Sequence, residues 1–191
     1  MIIGITGGTG CGKTTLLKLI AEQGGVILDC DAIYHELLKT DPALLSAIDH
    51  RFPGTVLEGQ LDRKALGNIV FADETALADL NRITHGAVYA EVLRRLENQP
   101  KLAAIDAIGL FEGGLAELCD VTVAITAPEE ARVQRLMLRD KISEDYARKR
   151  IAAQHNDEWF CSRCDAHLHN DSTADLFQQK CLAFLRSYDI M

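Results

Sequence analysis

Short apolar runs alternate along the chain with longer segments whose apolar residues recur at helical spacing. The run at 2–6 is β-branched and is followed at once by glycines, which is typical of a buried strand that ends in a turn. Runs at 26–28, 102–105 and 121–125 have a similar character, and a less apolar run lies at 166–169. Nearly continuous apolar runs predict strands buried on both faces, as in a parallel sheet.

The segments between these runs predict helices. One helix is expected to begin near Lys13, to bury Leu16 and Ile20, and to end before Gly24. Another follows the run at 26–28, where Asp31 is a candidate N-cap. The middle of the chain shows helical spacing and no strand pattern. Further helices are predicted at 42–52, 63–71, 74–97, 173–186 and, as a pair meeting near 139–143 with Ser143 as a cap, within 128–154.

The order of strands and helices predicts an α/β domain with a parallel sheet that is interrupted by a helical insertion. The chain has 191 residues, which is enough for one domain with a sizeable core. Hydrophobic residues make up 48% and charged residues 25%, a composition typical of folded globular proteins. A disordered chain is therefore excluded.

Charge and cysteine content narrow the functional classes. Lys and Arg number 20 against 28 Asp and Glu, so the net charge of −8 argues against a general nucleic-acid binder. The opening apolar run lacks a charged lead-in and is too short to span a bilayer, so neither a secretion signal nor a membrane anchor is expected. The six cysteines are then expected to be reduced thiols of a cytoplasmic protein.

Residues 7–14, Gly-Gly-Thr-Gly-Cys-Gly-Lys-Thr, match the P-loop pattern G-x-x-x-x-G-K-[ST] between a predicted strand and a predicted helix. Glycines let backbone N–H groups converge on phosphate oxygens, and the helix N-terminus adds positive potential. Lys13 is expected to reach the β- and γ-phosphates of ATP, and the Thr14 hydroxyl to bind Mg²⁺. The nucleotide-contacting residues expected from this motif are Gly8, Gly10, Cys11, Gly12, Lys13, Thr14 and Thr15.

A P-loop identifies a nucleotide but leaves the reaction open. The guanine-reading sequence Asn-Lys-x-Asp does not occur, and the chain is short for a helicase or transporter ATPase, so a compact kinase is favoured. A kinase needs a carboxylate for the acceptor hydroxyl, and Asp31, with Asp29 as its rival, follows the second strand. It also needs cations, and three arginines at spacings of three and four are candidates: Arg132, Arg135 and Arg139.

Several motifs in a fixed order resemble the dephospho-coenzyme A kinase family over nearly the whole chain. They are Ile-Thr-Gly-Gly-x-Gly-x-Gly-Lys-Thr at 5–14, Leu-Asp-x-Asp at 28–31, Leu-Asp-Arg-x-x-Leu at 61–66, Leu-Asn-x-Ile-Thr-His at 80–85, Leu-Phe-Glu at 110–112, Arg-Leu-Met-x-Arg-Asp at 135–140, Arg-Ile-Ala-Ala-Gln at 150–154 and the segment 165–170. The resemblance implies phosphorylation of the ribose 3′-hydroxyl of dephospho-CoA by MgATP, the last step of coenzyme A synthesis.

The resemblance also implies an architecture. It is a P-loop NTPase-type three-layer fold with a central five-stranded parallel sheet, a helical acceptor-binding region and a lid. The core would comprise about 1–61, 97–127 and 156–191, the acceptor region about 62–96, and the lid about 128–155. A monomer is expected, and a higher oligomer stays open.

Residue roles follow from the same resemblance. It favours Asp31 over Asp29 as the base and assigns lid cations to Arg139 and Arg135. Acceptor-facing residues would be Arg63, His85 and Glu112. Two departures, Gly86 in place of a family proline and Ile108-Gly109 before Leu110-Phe111-Glu112, lie toward the acceptor side and leave its details open.

The sequence leaves two other functional classes and one candidate metal site to consider. A second small-molecule kinase, acting on a nucleoside or nucleotide, would share the phosphate site, and a nucleotide-switched regulatory ATPase is a third class. Cys161, Cys164, His167 and His169 are four potential zinc ligands within nine residues. Their spacing is short for a closed tetrahedral site, and two histidines on one strand would point the same way, so no zinc site is favoured.

Overall fold

The computed structural model describes residues 1–98 and 100–190. Its strands are β1 (Ile2–Thr6), β2 (Val26–Asp29), β3 (Val56–Leu57), β4 (Gln60–Leu61), β5 (Ala103–Asp106), β6 (Val121–Thr126) and β7 (Ala166–His169). Its α-helices are α1 (Lys13–Glu22), α2 (Cys30–Thr40), α3 (Pro42–Arg51), α4 (Arg63–Val70), α5 (Glu74–Leu96), α6 (Glu129–Asp140), α7 (Glu144–Ala152), α8 (Asp157–Cys161) and α9 (Ala174–Ser187), with a short 3₁₀ helix at Leu115–Leu118.

Two compact units divide the described residues. The first, which we call the core unit, comprises 1–28, 100–110 and 115–190. The second, which we call the inserted unit, comprises 29–98 and 111–114 and contains the whole segment 62–96.

The core unit is built on a five-stranded sheet of order β2-β5-β1-β6-β7. Strand β1 pairs in parallel with β5 and β6, and β6 pairs in parallel with β7. Residues of β6 are buried throughout, as the apolar run predicts for a strand covered on both faces. The predicted α/β fold with a central five-stranded parallel sheet is confirmed.

Apolar side chains of β1, β6, α1 and α9 form the main core of this unit, including Ile5, Leu16, Ile125 and Phe177. A smaller core joins α6 to α7 through Val133, Leu136, Ala147 and Ile151. The two helices meet at Lys141, which adopts a left-handed conformation with φ 53°, and Ser143 caps α7 as predicted. Because each element is fixed on a buried face, the loop that follows β1 and the helix α6 are held in defined positions.

The inserted unit consists of α2 to α5 and the hairpin β3–β4. The sequence analysis predicted no strand here, and that prediction is wrong for 56–61. Glu58 and Gly59 both have positive φ, 51° and 75°, which is the geometry of a two-residue hairpin turn. Strands of two residues are too short to show an alternating pattern, so only the glycine signalled the turn.

No helix of the described ranges 1–98 and 100–190 is both long and apolar enough to cross a bilayer.

Candidate active site

The phosphate loop (residues 7–14) connects β1 to α1, and its backbone requires glycine at several points. Gly7 and Gly12 have positive φ, 126° and 98°, and Gly12 occupies the N-cap position of α1. A Cβ atom on Gly7 would lie 2.0 Å from the carbonyl oxygen of Ile125 on the neighbouring strand. Only glycine fits these positions, so the pattern of the motif has a direct steric cause.

Side-chain donors hold the first carbonyl groups of the loop. The ammonium group of Lys13 donates to the Gly7 carbonyl at 2.9 Å. Nε of Arg132 on α6 donates to the Thr9 carbonyl at 3.0 Å. Both acceptors are backbone oxygens, which need a donor wherever they lie away from water.

The next two carbonyl groups are held in the same way. Nη1 of Arg135 donates to the carbonyl groups of Gly10 and Cys11, at 3.0 and 3.4 Å. Nδ2 of Asn170, directly after β7, donates to the Cys11 carbonyl at 2.9 Å in a buried contact. Burial raises the pKa of the Cys11 thiol, although the charges of Arg132 and Lys13 act in the opposite direction.

These contacts orient the N–H groups of the loop. The peptide unit is planar and trans, so its carbonyl and the following N–H point in opposite directions. Fixing the carbonyls of Gly7, Thr9 and Cys11 therefore fixes the N–H directions of Gly8, Gly10 and Gly12. The arrangement favours an anion bound against the backbone N–H groups, with the N-terminus of α1 adding positive potential.

Arg139, on the same helix as Arg132 and Arg135, contacts a different group. Its guanidinium forms two hydrogen bonds with the Asp140 carboxylate, at 2.7 and 3.0 Å, and its side chain is 60% exposed. Arg150 also donates to Asp140, at 2.6 Å. Hydrogen bonds from Arg139, and then from Arg150, lower the pKa of Asp140 to about 2.

The two aspartates after β2 have separate places in the inserted unit. Asp29 is the N-cap of α2, and its side chain accepts a hydrogen bond from the Ala32 N–H at 3.0 Å. The expectation that Asp31 caps this helix is wrong, because Asp31 lies in the first turn, where its side chain is exposed. Asp31 is therefore not committed to capping.

Arg63 begins α4 in the inserted unit and contacts α2. Its Nη2 lies 3.3 Å from Nδ1 of His35, and its charge partly offsets the rise that burial causes in the pKa of Tyr34. Since arginine only donates, Nδ1 of His35 accepts this bond. Arg63 also lines a cavity of about 560 Å³ between the end of α2 and the hairpin, together with Lys39 and Glu58.

Comparison with known proteins decides the family. The family model described as Dephospho-CoA kinase matches residues 1–175. The chain belongs to the dephospho-CoA kinase family. The dephospho-CoA kinase of Moorella thermoacetica is 39% identical over 160 residues, covering 80% of this chain and 76% of the relative.

Solved structures share the fold of this chain, and one of them is a dephospho-CoA kinase. A Thermus thermophilus protein aligns with a TM-score of 0.84 and 30% identity, covering 98% of this chain and 97% of that one. The dephospho-CoA kinase from Campylobacter jejuni aligns with a TM-score of 0.69 and 27% identity, covering 98% and 96%. The predicted family is confirmed, and as a dephospho-CoA kinase the chain is an ATP-dependent kinase.

The remaining residues singled out by the family motifs lie in the inserted unit. His85 is half-buried on α5, and the neighbouring Gly86 is exposed with nothing within 4 Å of an added Cβ. Glu112 belongs to the segment 111–114 of the same unit.

The pair His167 and His169 faces one threonine rather than the cysteines. The Thr126 hydroxyl lies 2.6 Å from Nε2 of His167 and 2.8 Å from Nδ1 of His169, so both rings point the same way from β7. Across the described part of the chain, no group of three or more potential ligands is arranged for a metal ion.

Sequence reasoning missed three side chains at the phosphate loop. Asn170 was seen only as part of a family segment, Gln154 likewise, and Arg132 only as one of three arginines on a face. Gln154 accepts a hydrogen bond from the Thr9 N–H at 2.8 Å. Each contact joins residues more than 100 positions apart, and no local pattern encodes such a pairing.

Proposed function

We propose that this chain transfers the γ-phosphoryl group of MgATP to the ribose 3′-hydroxyl of dephospho-CoA, giving CoA and ADP. The observation that supports this most directly is a phosphate loop whose carbonyl groups are held outward by side-chain donors, in a chain whose family match spans residues 1–175. Family membership makes a nucleoside kinase or a regulatory ATPase the weaker alternative.

The phosphate loop would bind ATP through its N–H groups and Lys13. When bound, Mg²⁺ neutralises phosphate charge and helps orient the γ-phosphoryl group. Thr14 would hold the ion through its hydroxyl, and Thr15 follows it in the first turn of α1. The backbone of the loop fits a phosphate group because glycine at positions 7 and 12 lets the chain turn where a Cβ atom would clash.

Asp31 would act as the general base. It follows a strand of the parallel sheet, and in such sheets the carboxyl ends of the strands carry the binding site. Because Asp29 supplies the helix cap, the carboxylate of Asp31 is available to accept the proton of the 3′-hydroxyl as that oxygen attacks phosphorus. The proton leaves on Asp31 while the β–γ bridging oxygen of ATP takes the negative charge of the leaving ADP.

Cations would cover the charge that develops on the moving phosphoryl group. Arg135 donates to the Gly10 carbonyl of the phosphate loop, and Arg139 on the same helix has an exposed side chain. In this proposal Arg139 exchanges Asp140 for a phosphate oxygen and adds a second cation to the site. We assign the segment 128–155, which contains α6 and α7, as the lid.

The acceptor would be bound by the helical segment 62–96. Arg63, beside His35 and a cavity of about 560 Å³, offers a cation for the diphosphate of dephospho-CoA. His85 and Glu112 are further acceptor contacts in this proposal. We propose a cytoplasmic monomer that acts on small molecules and binds no nucleic acid.

The direct test measures ADP release from MgATP with dephospho-CoA, adenosine or AMP as acceptor, and mass spectrometry of the product. ADP release that requires dephospho-CoA and yields the mass of CoA supports the proposal. ADP release only with adenosine or AMP would contradict the assignment of dephospho-CoA as the acceptor. ADP release that is the same with and without each of the three acceptors would favour a regulatory ATPase.

A pair of matched variants tests the base. Asp31→Asn keeps the shape but removes the proton acceptor, so kcat should fall by about 100-fold or more while the Kd for ATP is unchanged. Asp29→Asn is the control, since asparagine caps helices as well as aspartate does, and it should retain nearly full kcat. A larger loss in Asp29→Asn than in Asp31→Asn would reassign the base.

A further inference from the structure

One residue of the phosphate loop, Thr9, is held at both of its backbone groups by side chains from distant segments. Its N–H donates to Oε1 of Gln154 at 2.8 Å, and its carbonyl accepts from Nε of Arg132 at 3.0 Å. Gln154 follows α7, and Arg132 lies on α6. We call Arg132 and Gln154 the Thr9 clamp.

Arg132 is buried in a way that stability alone does not explain. The residue is 5% exposed, and its nearest carboxylate, that of Asp157, lies 3.5 Å from Nη1. Nη2 is buried and has no hydrogen-bond partner within the described ranges. A buried, incompletely paired guanidinium is costly, and an apolar side chain of similar size is often as stable or more stable.

The bond that Arg132 does make has a consequence for catalysis. Holding the Thr9 carbonyl outward turns the Gly10 N–H toward the opposite side of the peptide plane. The bond from Thr9 to Gln154 fixes the preceding peptide, between Gly8 and Thr9, in the same manner. The clamp thereby sets the direction of backbone donors that a phosphate meets in this loop.

We infer that Arg132 is a positioning residue for phosphoryl transfer, and that it acts with Gln154 by clamping Thr9 so that the phosphate loop keeps its donor geometry. The inference deepens the proposed function and rests on it. The buried charge is retained for this geometry, at some expense in folding stability.

The surroundings of the clamp include open space beside Arg132 and a fluorescent side chain near Gln154. A cavity of about 390 Å³ adjoins Arg132, Gln154 and Asp157, so packing does not fill the space beside the clamp. His155, next to Gln154, stacks on Trp159 with ring centroids 3.8 Å apart and an interplanar angle of 9°. Trp159 is the single tryptophan of the sequence, and its fluorescence therefore reports on the segment that carries Gln154.

The first experiment compares Arg132→Met with wild type and with Arg51→Met, which removes an arginine outside the proposed lid that pairs with Asp79 instead. For Arg132→Met we expect a 10- to 100-fold loss of kcat and a weaker Kd for ATP, on the order of that for a misplaced reacting group. The KM for dephospho-CoA and the Tm should be close to wild type, as they should be for Arg51→Met. Arg132→Lys should recover part of kcat.

A merely structural arginine predicts the reverse pattern. Arg132→Met would then lower the Tm and the active fraction, while kcat per folded molecule and the Kd for ATP stayed at the wild-type values. That result would overturn the inference, and so would an equal loss in Arg51→Met.

A double-mutant cycle tests the clamp as a unit. Gln154→Leu keeps the size of the side chain but removes the acceptor, and its loss of kcat should overlap with that of Arg132→Met, so that the double variant is no worse than about the poorer single variant. Losses that simply multiply would show two independent residues and refute the clamp.

Failure of the proposed function is distinguishable from failure of the clamp. A wild-type protein that does not phosphorylate dephospho-CoA would contradict the function. The clamp is then judged by titrating MgATP against Trp159 fluorescence, where it predicts at least a 10-fold weaker Kd for Arg132→Met than for wild type. An unchanged Kd would refute the clamp in that setting.

Discussion

Replacement of Gly8 by alanine tests how closely Arg132 is fitted to the phosphate loop. A Cβ atom on Gly8 would lie 2.2 Å from Nη2 of Arg132, 2.9 Å from its Cζ and 3.2 Å from Oε1 of Gln154. The φ of Gly8 lies outside the left-handed range, so alanine is strained there by these contacts and not by the backbone.

The displacement determines the size of the effect. To restore an ordinary van der Waals contact, the guanidinium must retreat by about 1.2 Å or more. That shift stretches the 3.0 Å bond from Nε to the Thr9 carbonyl beyond hydrogen-bond range. A misplacement of about 1 Å near reacting groups costs roughly 100-fold in rate.

Steady-state kinetics of Gly8→Ala, Arg132→Ala and the double variant provide the assay. Gly8→Ala alone should lose about 100-fold in kcat/KM for ATP. In the Arg132→Ala background the clash is gone, so the added methyl group should cause little further loss. If alanine at Gly8 costs the same factor in both backgrounds, the contact with Arg132 is not the reason for glycine, and the reasoning fails.

Three further predictions concern other parts of the chain. Gly86→Ala, on an exposed stretch of α5 with nothing within 4 Å, should stabilise the protein by about 1 kcal/mol and raise the Tm by about 2 to 4 °C; a lower Tm in calorimetry would contradict this. Hydrogen bonds from Arg94, then Arg95, lower the pKa of Glu91 to about 2, so its carboxylate stabilises the fold above about pH 4.5 and loses that effect as the pH falls toward 2. Glu91→Gln should therefore lower the Tm at pH 7 but match wild type near pH 2. Urea titration gives the free energy of unfolding at both pH values, and a difference between variant and wild type that did not depend on pH would contradict the prediction. Lys13→Ala should lower kcat by about 100-fold or more, and rapid-quench measurement of a normal chemical step would exclude its role.

Most of the fold can be predicted from the sequence because the strand and helix signals of this chain are local. Every strand of the central sheet coincides with a predicted run, of which only the last is less apolar. The glycines of residues 7–14 are signalled by the motif, although the atoms that a Cβ would meet, such as the carbonyl oxygen of Ile125, belong to other elements. The hairpin at 56–61 was missed because strands of two residues have no period. The cap of α2 is misassigned because Asp29 and Asp31 are the same residue type at candidate positions only two residues apart, and only the backbone shows which one accepts the Ala32 N–H.

The arginines of α6 show where pattern reasoning ends. Their spacing indicates a shared face, but not which guanidinium meets which carbonyl. Arg132 and Arg135 reach the phosphate loop, whereas Arg139 pairs with the adjacent Asp140. The group that each arginine contacts depends on where the residue lies along α6 relative to the phosphate loop, and this position is set by the tertiary structure.

The order of the central sheet has a consequence for synthesis on the ribosome. Strand β1 is the middle strand, and its partners β5 and β6 begin only at Ala103 and Val121. The first strand must therefore wait, with its apolar side chains unpaired, until more than half of the chain has been translated. Such delayed, long-range pairing slows folding and leaves a strand available to wrong partners, whereas the local helices 29–98 can form earlier. Nascent chains halted before residue 103 should accordingly depend on chaperones that shield the first strand.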